Sequence, residues 1–207
     1  MLNLTSRPAD PEPPPARGNA VSLKVVIAGG FGVGKTTAVG AVSEIPPLQT
    51  EEYLSEPSAL VDSLEGVAAK TTTTVAFDFG RLSLTDPLPL ELLLFGAPGQ
   101  DRFLGVWHDL ARGAIGAVVL VDTRRLDTSF MAVNFFEDNR LPFVVAVNEF
   151  DGARRYHPED VRTALELDPR VPVMTCDARD PDQVAAVLLA LVGHAVNTTS
   201  ATHQDAR

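Results

Sequence analysis

Leu23-Lys24-Val25-Val26-Ile27-Ala28-Gly29-Gly30-Phe31-Gly32-Val33-Gly34-Lys35-Thr36 is the stretch whose reading decides the fold. Its first six residues form a short apolar, β-rich run, the pattern of a strand buried on both faces of a parallel sheet. The last eight fit Gly-x-x-x-x-Gly-Lys-Thr, and a helical pattern follows from about Lys35 to Glu44. Between a strand and a helix, Gly29, Gly32 and Gly34 let the backbone curl so that successive N–H groups face inward, and the helix start adds its positive dipole end. Phosphate oxygens fit that concavity, to which Val33 and Thr37 also belong. Lys35 then reaches the terminal phosphates as a point charge, and the Thr36 hydroxyl ligates Mg²⁺. A chance match to this pattern in such a chain has odds on the order of 1 in 100 from average residue frequencies.

Outward from this unit, apolar strand runs alternate with helical patterns. Thr73 to Leu84 alternates apolar and polar residues, and Leu90 to Phe95 reads as its neighbour. Ala114 to Asp122, Pro142 to Asn148 and Val171 to Cys176 are β-branched runs apolar on both faces. The last helix opens with Asp180, Pro181 and Gln183 as N-cap, N1 and N3, and Val184, Val187, Leu188, Leu191 and Val192 repeat at helical spacing. Six strands with intervening helices make an α/β three-layer domain. The segment Pro46 to Lys70 is expected to be largely loop, with at most a short helix. Residues 1–20, rich in proline, read as a disordered tail, 21–195 as the domain, and 196–207 as a polar C-terminal tail.

The 207 residues are 45 % hydrophobic and 21 % charged, enough apolar surface for one sizeable core. A net charge of −10 repels a phosphate backbone, so no nucleic-acid partner is expected. The apolar runs fall short of the roughly 20 residues of a membrane helix, so no direct membrane insertion is expected. The single cysteine, Cys176, and the lack of a basic and apolar leader suit a reducing, cytoplasmic setting. His108 and His157 have no partners at metal-ligand spacing.

Asn148-Glu149-Phe150-Asp151 follows a buried strand, and Asn-x-x-Asp at a strand's carboxyl end can read guanine. The Asp151 carboxylate accepts from guanine N1–H and the exocyclic amine, a donor pair that adenine lacks. Near the next strand's end, in Cys176-Asp177-Ala178-Arg179, the Ala178 N–H is placed to reach guanine O6. The alternative for each is an ordinary turn satisfying local backbone groups.

In motif order, residues 22 to 195 resemble the small Ras-like GTPases. The first element matches Gly29 to Thr36, the switch I threonine matches Thr74, switch II matches Gly96-Ala97-Pro98-Gly99-Gln100, and the base elements match Asn148 to Asp151 and Cys176 to Arg179. The Thr-rich run Lys70 to Thr74 and Phe95 to Gln100 look like the bacterial branch of gliding-polarity and conservon-encoded GTPases. The resemblance implies a mixed six-stranded sheet, five strands parallel and Thr73 to Leu84 antiparallel. It also implies GTP/GDP and Mg²⁺ as ligands, Thr36 and Thr74 as metal ligands, the Gly99 N–H on the γ-phosphate, and Gln100 with Thr74 as the catalytic pair. A roadblock-type protein and a sensor-kinase-like protein are the implied partners, with membrane recruitment through them. Gly96 stands where the family has an aspartate, Phe31 crowds the γ-phosphate, and Glu149 replaces a lysine. The expected function is a signalling switch with slow, partner-stimulated GTP hydrolysis; the alternatives are an adaptor without useful turnover and a P-loop ATPase.

Overall fold

The computed structural model describes residues 20–46, 48–54, 73–85, 88–99 and 104–204. The expected N-terminal tail, Gln100 and most of the segment to Lys70 lie outside them. The chain runs β1 (Val21–Ala28), α1 (Lys35–Val42), β2 (Leu48–Leu54), β3 (Thr73–Leu84), β4 (Leu90–Gly96), α2 (Leu104–Ala111) and β5 (Ala114–Val121). A 3₁₀ segment (Thr123–Ser129), α3 (Phe130–Asp138), β6 (Phe143–Asn148), α4 (Pro158–Ala164), β7 (Val173–Cys176) and α5 (Pro181–Gln204) complete it.

One sheet has the order β2-β3-β4-β1-β5-β6-β7. All six expected strands are present: β4, β1, β5, β6 and β7 are mutually parallel, and β3 is antiparallel to β4. A seventh corrects the reading of Pro46 to Lys70 as loop. Leu48–Leu54 pairs with β3 from Leu48↔Phe79 to Leu54↔Thr73, as an edge strand. Its Gln-Thr-Glu-Glu centre shows no apolar alternation, so the signal for it lies in the ladder and not in its own residues.

Parallel strands need crossover helices, and these cover both faces. Alternate residues of each strand feed two cores. Val25 and Ile27 with Leu92, Leu120 and Val144 pack under α1 and α5. Val26 and Ala28 with Val119, Val145 and Phe143 pack under α2, α3 and α4. Trp107 is buried in the second core, stacked 5.9 Å from Phe136 and edge-on 5.3 Å from Phe135. Its indole N–H donates to Pro98 O at 3.0 Å, which ties the segment after β4 to α2.

The start of α5 is as expected. Asp180 Oδ1 accepts from the Asp182 and Gln183 amides at 3.0 and 3.2 Å, and the Gln183 side chain donates back to Oδ2 at 2.7 Å. Its end is not: the helix continues through the segment expected to be a tail, to Gln204. The hydroxyls of Thr198, Thr199 and Ser200 each donate to the carbonyl four residues back, so polar side chains extend the helix instead of ending it. By length and composition Pro181–Ser200 could cross a membrane, but Val184, Leu188 and Leu191 are core residues of the domain.

The chain leaves β1 for one half of the sheet and returns at β5 to the other. Ligands of open α/β sheets bind at such a reversal, outside the carboxyl ends of the strands. The glycine loop sits there.

Candidate functional site

Helix α1 begins without a side-chain cap and without an acidic residue in its first turn. Its N-cap, Gly34, has φ +103°, and a Cβ there would lie 2.7 Å from Asn148 Nδ2, so only glycine serves. The uncapped first-turn amides of Lys35, Thr36 and Thr37 sit beside Gly32, also at positive φ, and buried Val33. Such an arrangement of amides, with one ammonium beside it, is a nest suited to an anion. Lys35 Nζ donates to Gly29 O at 2.9 Å and Gly30 O at 2.8 Å. Burial lowers its pKa to about 8, with the Asp78 charge opposing that shift.

Gly99 closes the loop from the other side. A Cβ on it would lie 2.6 Å from Lys35 Nζ and 2.8 Å from Phe31 N, so its backbone rests on the phosphate loop. The Phe31 side chain is 68 % exposed and points away from the core.

Beside Gly96 the structure places a carboxylate from the neighbouring strand. In the β3–β4 ladder Asp78 is paired directly with Gly96, and a Cβ on Gly96 would lie 2.9 Å from Asp78 Cβ and 3.0 Å from its Oδ2. Glycine on β4 thus leaves room for a carboxylate from β3. Thr36 Oγ1 donates to Asp78 Oδ2 at 2.6 Å. A hydroxyl and a carboxylate beside a phosphate loop form a hard oxygen pair suited to Mg²⁺, which completes its octahedron with phosphate oxygens and water. Among the described residues no cluster of three or more His, Cys, Asp or Glu side chains forms a metal cage.

Thr74 lies in β3 opposite Tyr53, four residues and roughly 13 Å along the strand from Asp78. Sequence reasoning passed over Asp78; its signal was an acid between Phe77 and Phe79 in an otherwise alternating strand.

The base loops enclose a cavity of about 190 Å³, lined by Gly34, Thr37, Phe150, Asp151, Ala178 and Arg179 among others. The two expected base contacts from Asn148 and Ala178 are used internally. Buried Asn148 donates to Val33 O at 3.0 Å and accepts the Ala178 N–H at 3.0 Å. It therefore ties the phosphate loop to both base loops, because a buried amide must be satisfied on both sides. Asp151 is 83 % exposed at the rim. Its two oxygens accept from Arg179 at 2.8 and 3.0 Å, which lowers its pKa. Arg179 also grips Asp177 and holds that carboxyl at about 2. Glu149 pairs with Arg155 at 3.3 Å. Cys176 is buried, which pushes its thiol up to about 12 and leaves it no nucleophilic role.

A family model described as "conserved hypothetical ATP binding protein" matches residues 27–198. The chain belongs to that family. Among solved structures it is similar to the G domain of the T. maritima FeoB iron transporter, at 16 % identity and a TM-score of 0.59, covering 84 % of this chain and 99 % of that one. It is also similar to the FeoB G-domain of Methanococcus jannaschii, at 14 % identity and a TM-score of 0.57, covering 84 % and 98 %. At these identities the likeness shows the fold, a P-loop G domain. A search of curated proteins found no match.

Proposed function

We propose that the protein is a GTP/GDP-binding switch with slow GTP hydrolysis, acting in bacterial signalling. The observation that carries this reading is one continuous site: the uncapped phosphate loop with Lys35, the Thr36–Asp78 oxygen pair, and a purine-sized cavity with the Asp151 carboxylate at its rim. The family description names ATP. Guanine is favoured because its N1–H and amine present two adjacent donors to the Asp151 oxygens, and adenine presents no such pair.

Bound Mg²⁺ would polarise the terminal phosphate and offset its charge, held by Thr36 with Asp78 acting directly or through a water. The residues of this chain do the remainder. The loop amides and Lys35 bind and orient the phosphates, the Gly99 amide meets the terminal one, and Gln100 orients the attacking water. Slow turnover is assigned to Phe31, a bulky residue in the loop position where relatives carry glycine. The readout is ordering of the Gly99 segment and of the strand carrying Asp78, read by partners. Those partners are a roadblock-type and a sensor-kinase-like protein, which recruit an otherwise cytoplasmic chain.

Competition of ATP and GTP for purified protein, with Mg²⁺, tests the base reading: GTP is expected to win, and preference for ATP would overturn it. Single-turnover phosphate release tests hydrolysis. The second reading, a nucleotide-binding adaptor without turnover, is favoured by Gly96 in place of the family's aspartate and by Phe31 in the phosphate loop. No release above buffer, with or without partner, would establish it.

A further inference from the structure

The loop after β5 carries a cation onto the phosphate site from the side opposite Asp78. Arg125 Nη2 donates to Phe31 O at 2.8 Å, across 94 residues of sequence, and a Cβ on Gly32 would lie 3.5 Å from the same nitrogen. We propose that Arg125 is a second phosphate-binding residue, whose guanidinium neutralises the terminal phosphates alongside Lys35. The proposal rests on the nucleotide-binding reading above.

The local backbone is built around this placement. Arg125 has φ −145° and ψ 55° inside an otherwise helical segment, so the 3₁₀ turn is broken at this residue. The broken turn is pinned on both sides: the Arg125 amide donates to Asp122 O at 2.9 Å and the Thr128 hydroxyl to Arg125 O at 2.8 Å. Thr128 in turn lies so close to Gly30 that a Cβ there would sit 2.4 Å from its Oγ1, which fixes the segment against the phosphate loop.

Neighbouring cations are engaged elsewhere. Arg124 forks onto buried Asp122 at 2.9 and 2.8 Å and lies over the Phe150 ring. Arg179 is shared between Asp151 and Asp177. Arg125 approaches Asp122 only to 3.7 Å, and its side chain is 48 % exposed, so a ligand in the loop can reach it. A guanidinium that donates once to the loop keeps further N–H groups for phosphate oxygens. The charge is needed there: a triphosphate brings more negative charge than Lys35 offsets, Asp78 adds to it, and the lysine expected beside the base is Glu149.

Arg125→Gln tests this, because glutamine keeps a donor for Phe31 O and removes the charge. Affinities of wild type and variant for GTP, GDP and GMP, measured by calorimetry with Mg²⁺, are the readout. The expected result is a roughly tenfold loss for GTP, a smaller one for GDP and little for GMP, with Arg125→Lys intermediate, since a charge-assisted contact at a half-exposed site is of that order. Equal affinity of Arg125→Gln and wild type for GTP, or a loss of the same size for all three, overturns the proposal. Failure of wild type to bind any of them overturns the nucleotide reading itself and this proposal with it. A matching melting temperature for Arg125→Gln without ligand shows that the fold is intact, and if it melts lower the Arg125→Lys ratios decide alone.

Discussion

Proton uptake on nucleotide binding measures Lys35 directly. Burial holds the Lys35 pKa at about 8 in the free protein, so at pH 8 the amine is about half protonated. A phosphate seated against it favours the charged form and raises the pKa again. Binding therefore takes up about half a proton at pH 8, about 0.9 at pH 9 and about 0.1 at pH 7. The same cycle makes affinity fall as pH rises through 8. The protonated fraction drops from about 0.9 at pH 7 to about 0.1 at pH 9, a roughly tenfold loss worth about 1.4 kcal/mol. The assay is calorimetry of GDP and Mg²⁺ binding at pH 8 in two buffers of different ionisation enthalpy; this pH lies well above the terminal phosphate's own second ionisation near pKa ~6. Identical heats in both buffers would mean no proton is taken up and would refute the placement of Lys35 against phosphate. Folding stability changes in the opposite direction. The unfolded amine, at the ordinary lysine value of about 10.5, holds more protons than the folded one between pH 8 and 10.5, so the ligand-free protein gains stability across that window, by at most roughly 3 kcal/mol.

Asp78→Asn should abolish most of the Mg²⁺-dependent tightening of GTP binding while changing the melting temperature little; an unchanged Mg²⁺ dependence in a titration would show that the carboxylate is not a metal contact. Asp151→Asn should weaken GTP by roughly tenfold or more and improve xanthosine triphosphate, and a competition assay in which guanine preference survives would contradict the base reading. Gly34→Ala should destabilise the fold by about 1 kcal/mol or more and lower nucleotide affinity, because the added Cβ meets Asn148 Nδ2 at a positive φ; both are read by ligand-dependent thermal melts. Trp107→Ala should cost about 3 to 5 kcal/mol in chemical denaturation, and a loss below about 1 kcal/mol would show that its ring is not core.

Much of this architecture was written locally. The unbroken apolar run Val25, Val26, Ile27 and Ala28 announces a strand with two buried faces, and the glycine spacing announces the loop after it. Asp180, Pro181 and Gln183 announce the start of α5, whose cap forms as read. The edge strand β2 was not legible, because an edge strand with a polar centre is held by backbone bonds to its neighbour. The end of α5 was missed for a related reason: a run of threonine and serine reads as loop until its hydroxyls are seen bonding back along a helix already started.

The candidate site divides along the same line. Lys35, Thr36, Gly34 and Asp151 follow from motifs a few residues long, in which neighbours in sequence are neighbours in space. Asp78 comes to lie beside Gly96 and Thr36 only because the β3–β4 register sets Asp78 opposite Gly96. Asn148 ties the phosphate loop to the base loops because the strand order brings Val33 and Ala178 to its two amide atoms. Arg125 meets Phe31 because β5 lies beside β1 and a broken turn aims its guanidinium across the gap. The sequence by itself determined the glycine-lysine loop motif and six of the seven strands, since both depend on short-range periodicity and backbone freedom. Only the tertiary structure decided which charges surround that loop, because charge acts through space across strands that the chain visits far apart.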